Sequence, residues 1–161
     1  MTRVGDAVYQ LAYIIAGVAI GCASIIVIVQ VFVRYFLGFS FSWGDELTRY
    51  FMIWGTFVGA SCAFRKAMLA GITIGINKLP PEVRSVVGII TNLIGLVFLL
   101  IVIYFAMKQI FSPFVLMQKS PAMRLPMYIP YFSIPFGFTL MVFFVLEQII
   151  GGVLQLGGRR Q

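Results

Sequence analysis

Between Leu11 and Val33 the chain carries 23 residues in which Gln30 is the one strongly polar side chain, and Arg34 closes the run. As a helix rising about 1.5 Å per residue it covers roughly 34 Å, enough to cross a hydrocarbon core about 30 Å thick with some tilt. A block of this kind restricts the fold more than any other feature, because a water-soluble core has no use for it. Only Arg3 stands ahead of it as a charge of the n-region type, and the run of about 23 apolar residues is longer than a signal-peptide core and lacks a convincing small-x-small exit. It therefore reads as a retained first span and not as a cleaved leader. The rest of the chain agrees: 61% of residues are hydrophobic and 11% charged, against about a quarter charged in soluble domains.

Three more blocks follow. The second has an uninterrupted apolar part of only 15 residues, Tyr50 to Phe64, some five residues short of a crossing. Arg65 and Lys66 oppose extension forwards, so this helix should extend backwards through Arg49, Glu46 and Asp45. Ser42 and Asp45 have capping-box spacing at its start. The third block runs from Val86 to Met107 between Arg84 and Lys108, and contains Thr91 and Asn92. The fourth begins between Met127 and Ser133 and ends near Ile150. Pro135 must open or kink it, and Gly151 is a natural stop.

The expectation is one all-α transmembrane domain over residues 1–161, with spans at about 11–33, 45–64, 86–107 and 131–150. Short connections imply an up-down-up-down path with both termini on one side. The termini and second connection hold seven Lys or Arg, the first and third connections five, which puts the termini in the cytoplasm. Residues 66–79 are too short and polar to cross. Met68, Leu69, Ile72, Ile76 and Leu79 recur at helical spacing opposite Thr73 and Asn77, as in an amphipathic helix lying in the interface. Ile72, Ile74 and Ile76 also alternate, which leaves an extended stretch open, and Pro80-Pro81 ends either form. The third connection, with four prolines between Phe111 and Pro130, should pack at the outer surface.

A net charge of +7 does not point to nucleic acid, because the basic residues sit singly or in pairs at the ends of apolar blocks. Cys22 and Cys62 lie inside such blocks, and the chain has no His. They read as packing residues, and no metal or cofactor is expected. Nothing has the form of a nucleophile–base pair or a phosphate loop, so an enzyme is not expected.

Function in membrane proteins concentrates at intramembrane polar groups. Asp45 and Arg49 are four apart and Glu46 and Arg49 three apart, so each pair shares a helix face, with Trp43 at interfacial depth. The cluster is either a pinned contact, within the chain or to a partner subunit, or an interfacial charge group with Arg49 reaching to lipid headgroups. Gly55 and Gly59 with Ala60, and Gly17 with Gly21, form small-xxx-small faces suited to close helix approach. Glu147 reads as an exposed carboxylate at a helix end, although a carboxylate there opposes the dipole, which leaves a structural contact open.

The run FSWGDELTRYFMIWGTFVGASCAFRKAMLAGITI resembles the small membrane subunit of tripartite ATP-independent periplasmic (TRAP) transporters, the DctQ-like proteins. Trp43, Glu46, Arg49, Trp54, Gly59, Ala60 and Arg65 carry the likeness. A second stretch, LPMYIPYFSIPFGFTLM, is similar to that family's approach to its fourth helix through Pro126, Tyr131, Ile134, Pro135 and Gly137. Gly71 and Gly75 depart from the family, where a His or other polar residue and an Asp are common. The resemblance implies a partner role in a bacterial inner membrane. A large membrane subunit would carry solute and sodium, and a periplasmic solute-binding protein would deliver an organic acid. The small subunit would be a scaffold embedded in membrane lipid. A self-contained four-helix multidrug exporter and a membrane assembly factor are the alternatives.

Overall fold

The computed structural model describes residues 3–39, 41–74 and 81–158. Their secondary structure is helical: α1 (Arg3–Phe36), α2 (Ser42–Ile74), α3 (Pro81–Ile110), the short α4 (Pro113–Met117) and α5 (Tyr128–Gly158). A single isolated bridge, between Lys119 and Pro126, interrupts the pattern. Three of the described helical stretches are long and apolar enough to cross a membrane: Arg3–Phe36, Ile90–Ile110 and Tyr128–Ile150. The second helix is not among them, and its Asp45, Glu46, Arg49, Arg65 and Lys66 account for that.

The helices overrun the apolar blocks. α1 begins eight residues before Leu11, and its first turn holds Asp6 while its last holds Arg34, each sign matching the helix dipole at its end. α2 starts at Ser42, where the capping pattern pointed, and continues unbroken past Lys66 to Ile74. The expected interfacial segment thus begins as a continuation of α2, and its remaining residues, 75–79, lie outside the described residues. α3 opens on Pro81, a residue whose missing N–H and fixed φ suit a first helical position.

Of the two places open to Pro135, the structure shows the inner one: it lies inside α5, and the Thr139 hydroxyl donates to its carbonyl at 2.7 Å. One expectation for the last helix needs correction: Gly151 does not stop it, and it continues to Gly158. A helical glycine costs only about 1 kcal/mol relative to alanine, and Val153, Leu154 and Leu156 resume the apolar pattern beyond it.

The long helices pack in a row, α1 on α2, α2 on α5 and α5 on α3. Asp6 meets Arg65 while Gln30 meets Asp45, so α1 and α2 run antiparallel. Trp54 stacks near Phe136 and Arg65 reaches Glu147, so α2 and α5 run parallel. The α1 seam is an alanine stripe: Ala12, Ala16, Ala19 and Ala23 are buried. Ala12 and Ala16 join Val58 and Cys62 in one core cluster, with Tyr9, Trp54 and Leu140 against it. A second cluster, Leu99, Met141 and Val145, joins α3 to α5.

Glycine contacts sort the two small-residue faces. A methyl on Gly55 would lie 2.8 Å from Ile20 Cγ1, and one on Gly59 would lie 3.6 Å from Ala16 Cβ. That face is a contact, and it serves α1. Gly17 and Gly21 are exposed with open space around them, so the expected α1 face makes no contact among the described residues; Ala12, Ala16, Ala19 and Ala23 carry the seam instead. Gly137 permits the closest crossing, since a methyl there would sit 2.8 Å from the Phe57 carbonyl oxygen.

Candidate functional site

Polar side chains gather at two stations near opposite ends of α2. The first is built on Arg65, which is only 5% exposed. Its Nη2 donates to Asp6 Oδ1 of α1 at 3.0 Å and to Glu147 Oε2 of α5 at 3.2 Å. The guanidinium lies 5.3 Å from the Tyr9 ring centroid and 5.1 Å from that of Phe144. A buried cation is tolerated only when its charge and donors are matched, and here two carboxylates and two ring faces match it. One side chain therefore ties three helices.

Glu147 is the clearest correction at this station. It was expected as an exposed carboxylate in a last helical turn, yet its side chain is 11% exposed. Because α5 runs on to Gly158, Glu147 is an interior helical residue facing α2. Its approach to α1 depends on Gly5, where a methyl would overlap the Glu147 carboxylate. Lys66, exposed beside the station, holds its Nζ 5.8 Å from the Tyr9 ring.

The second station is built on Glu46, in the first turns of α2. Its carboxylate accepts from the Ser120 hydroxyl, from the Ala122 backbone N–H at 3.1 Å and from the Met123 N–H at 2.9 Å. It thus supplies acceptors to the turn between α4 and α5. That turn is otherwise closed by Ser120 N–H to Leu125 carbonyl at 2.9 Å and Met127 N–H to Gln118 carbonyl at 3.0 Å. Arg124 takes a left-handed conformation, φ 53°, uncommon for a residue with a side chain. The Tyr50 hydroxyl lies 3.7 Å from Met127 Sδ. Beside this station Gln30 Nε2 donates to Asp45 Oδ1 at 3.0 Å, which joins the far half of α1 to the start of α2.

The pairs read from spacing, Asp45 or Glu46 with Arg49, stand beside these longer connections: the charge of Arg49 acts on Glu46, while the direct hydrogen bonds of Glu46 and Asp45 go to the turn and to Gln30. The ion pairs among the described residues are both made by Arg65, and Arg49 is exposed. Trp43 is exposed and stacked on Phe41, centroids 4.7 Å apart. Trp54 tilts against Phe136 at 5.7 Å, helping to join α2 and α5 where Pro135 is buried. Gly5, Asp6, Ser120 and Gly137 belong to the site although the sequence assigned them no contact, and Glu147 makes the structural contact that its opposition to the helix dipole left open. Asp6 carried one signal, a lone acid in an apolar N-terminal stretch.

Chemically, both stations join backbone elements; neither assembles a nucleophile with a base. Among the described residues no group of three His, Cys, Asp or Glu converges on a point. Cys22 and Cys62 are free thiols.

Comparison with known proteins gives a consistent result. The family model for the DctQ component of tripartite ATP-independent periplasmic transporters matches residues 23–155. The "Isethionate TRAP transporter permease protein DctMQ" of Oleidesulfovibrio alaskensis is 28% identical over 111 residues, 69% of this chain and 18% of that protein. The "C4-dicarboxylate TRAP transporter small permease protein DctQ" of Rhodobacter capsulatus is 27% identical over 114 residues, 71% of this chain and 50% of that one. The protein of that same name in Vibrio cholerae is 23% identical, across 95% of this chain and 77% of its own. The match thus spans half or less of the first two relatives.

Proposed function

Because the chain belongs to the DctQ component family of tripartite ATP-independent periplasmic transporters, we propose that it is the small permease subunit of a binding-protein-dependent organic acid importer. It sits in the bacterial inner membrane and crosses four times, with α2 as the fourth crossing beside the three apolar spans. The antiparallel packing of α1 on α2 and the parallel packing of α2 with α5 support an up-down-up-down path. Both termini are cytoplasmic in this reading. The Arg65 station then lies at the cytoplasmic end and the Glu46 station at the periplasmic end.

The subunit acts as a scaffold for a large membrane subunit, through which solute moves with sodium, and a periplasmic solute-binding protein supplies the solute. It takes part in no chemistry itself. The observation that carries this is the use of three charged groups: Arg65 and Glu147 are engaged with each other, and Glu46 with the 120–123 turn. A pathway for a charged solute needs charged groups left available along it; these three join elements of the chain to one another. The relatives named for isethionate and C4-dicarboxylates support a small organic anion as the cargo. The far greater length of the DctMQ relative beyond the matched stretch supports a large membrane partner.

Arg49, exposed on α2 and outside both ion pairs, is the side chain best suited to contact that partner. Co-purification of this chain with a tagged large subunit tests the proposal. Arg49→Ala should lower the yield of complex while leaving substrate preference unchanged. Undiminished yield with normal uptake would remove Arg49 from the interface, and solute uptake by this chain alone in vesicles would overturn the scaffold reading.

A further inference from the structure

The knuckle between α3 and α5 leaves an apolar outer surface that the two stations do not use. Val115 is fully buried, yet Phe111, Phe114 and Met117 are 65%, 74% and 83% exposed. The segment is nevertheless well built. Ser112 caps α4 by accepting from the Val115 N–H, and Ser112 N–H bonds the Gln109 carbonyl at 3.1 Å. Glu46 and the Lys119–Pro126 bridge hold the return strand. These side chains are therefore displayed by a held backbone.

Two observations say what covers them. The first is position. α3 ends at Ile110 and α4 begins at Pro113, and the link between them folds back: the Phe111 and Ser112 N–H groups bond the Met107 and Gln109 carbonyls, each at 3.1 Å. At about 1.5–2 Å per residue in such turns the chain advances no farther than the thickness of the headgroup layer, about 5–8 Å, so α4 stays at that depth if α3 spans. The second is charge. Lys108, Lys119 and Arg124 are exposed on either side of the apolar group, matching lipid phosphates at the boundary. Exposed Tyr35, Phe36, Phe39 and Trp43 lie at the same end of the molecule, since Gln30, Asp45 and Glu46 bind the end of α1 and start of α2 to this turn. Aromatic residues ringed by cations at one end of a span form a membrane–water belt.

We infer that the Phe111–Met117 knuckle is a lipid anchor: Phe111, Phe114 and Met117 insert into the headgroup–acyl boundary while Lys108, Lys119 and Arg124 contact phosphates. The inference rests on the membrane-spanning reading of α3. It also gives the Glu46 station a purpose beyond stability, because the clamp sets how the anchor is presented.

Nitroxide accessibility tests it. Single cysteines replace Phe114, Met117 and Lys119 in turn, in a Cys22→Ala, Cys62→Ala background, and Phe98→Cys serves as a control in mid-α3. Each is spin-labelled in nanodiscs containing anionic lipid, with and without the large subunit, and relaxed with oxygen and with a water-soluble nickel chelate. Labels at 114 and 117 should favour oxygen, at a depth between those of 98 and 119, in both preparations. Preference for the nickel chelate at 114 and 117 would overturn the anchor. So would protection from both reagents only when the large subunit is present, which would mark a protein interface. If the label at 98 is itself reached by the nickel chelate, the spanning reading of α3 fails first.

Discussion

The two stations on α2 do the same job by opposite means. At Arg65 a buried cation joins side chains from α1 and α5, so helix is tied to helix through charge. At Glu46 a carboxylate replaces the missing acceptors of a turn, so helix is tied to loop through backbone hydrogen bonds. The first should be sensitive to any loss of charge. The second should be sensitive to loss of acceptor oxygens and tolerant of loss of charge alone.

Arg65→Met should have the largest effect, because it removes the buried cation that Asp6 and Glu147 share. Breaking a buried pair in this way costs about 3–5 kcal/mol, and thermal unfolding in detergent should register it. Asp6→Asn should cost much less than Glu147→Gln, since the Asp6 side chain is 60% exposed and that of Glu147 11%. Equal losses would mean that burial does not govern this station.

Between the stations, Gly137→Ala probes the helix crossing that aligns them. Its new methyl meets the backbone of Phe57, which cannot move like a flexible side chain, and overpacking of this kind costs about 1–3 kcal/mol. Gly17→Ala, with open space around it, should stabilise by up to about 1 kcal/mol through helix propensity. If the two behave alike, the seam between α2 and α5 is not as described.

At the second station Glu46→Ala should lower stability by removing the acceptors of the turn, while Glu46→Gln, which keeps one acceptor oxygen, should lower it less. Proteolysis within 118–127 should follow the same order. A glutamine variant as damaged as the alanine variant would show that charge, and not acceptor geometry, governs the turn.

Much of this architecture was legible in the sequence because lipid enforces simple rules. Apolar length marked α1, α3 and α5, Ser42 marked the start of α2, and Gly55 with Gly59 marked a real contact. The partners of the charges were not legible. Helical spacing joins residues three or four apart, so it paired Asp45 and Glu46 with Arg49. The observed connections join Glu46 to residues 74–77 positions away, and Arg65 to Asp6 and Glu147 at 59 and 82. Such partners depend on which helices are neighbours, and no local pattern encodes the row α1–α2–α5–α3. Glu147 was misread for a related reason: its environment depends on α5 continuing past Gly151. Gly17 and Gly21 had the small-residue spacing, but alanines on the adjacent face gave α1 its seam.

The central claim is that α2 is the element to which α1 and α5 are fastened, through Arg65. A double-mutant cycle of Arg65→Met and Glu147→Gln, read by reversible unfolding in detergent, addresses it most directly. The account predicts a favourable coupling of about 1–3 kcal/mol, with the double variant losing far less than the two single losses combined. Strict additivity would show that Arg65 and Glu147 do not depend on each other, and the fastening of α5 to α2 would have to lie elsewhere.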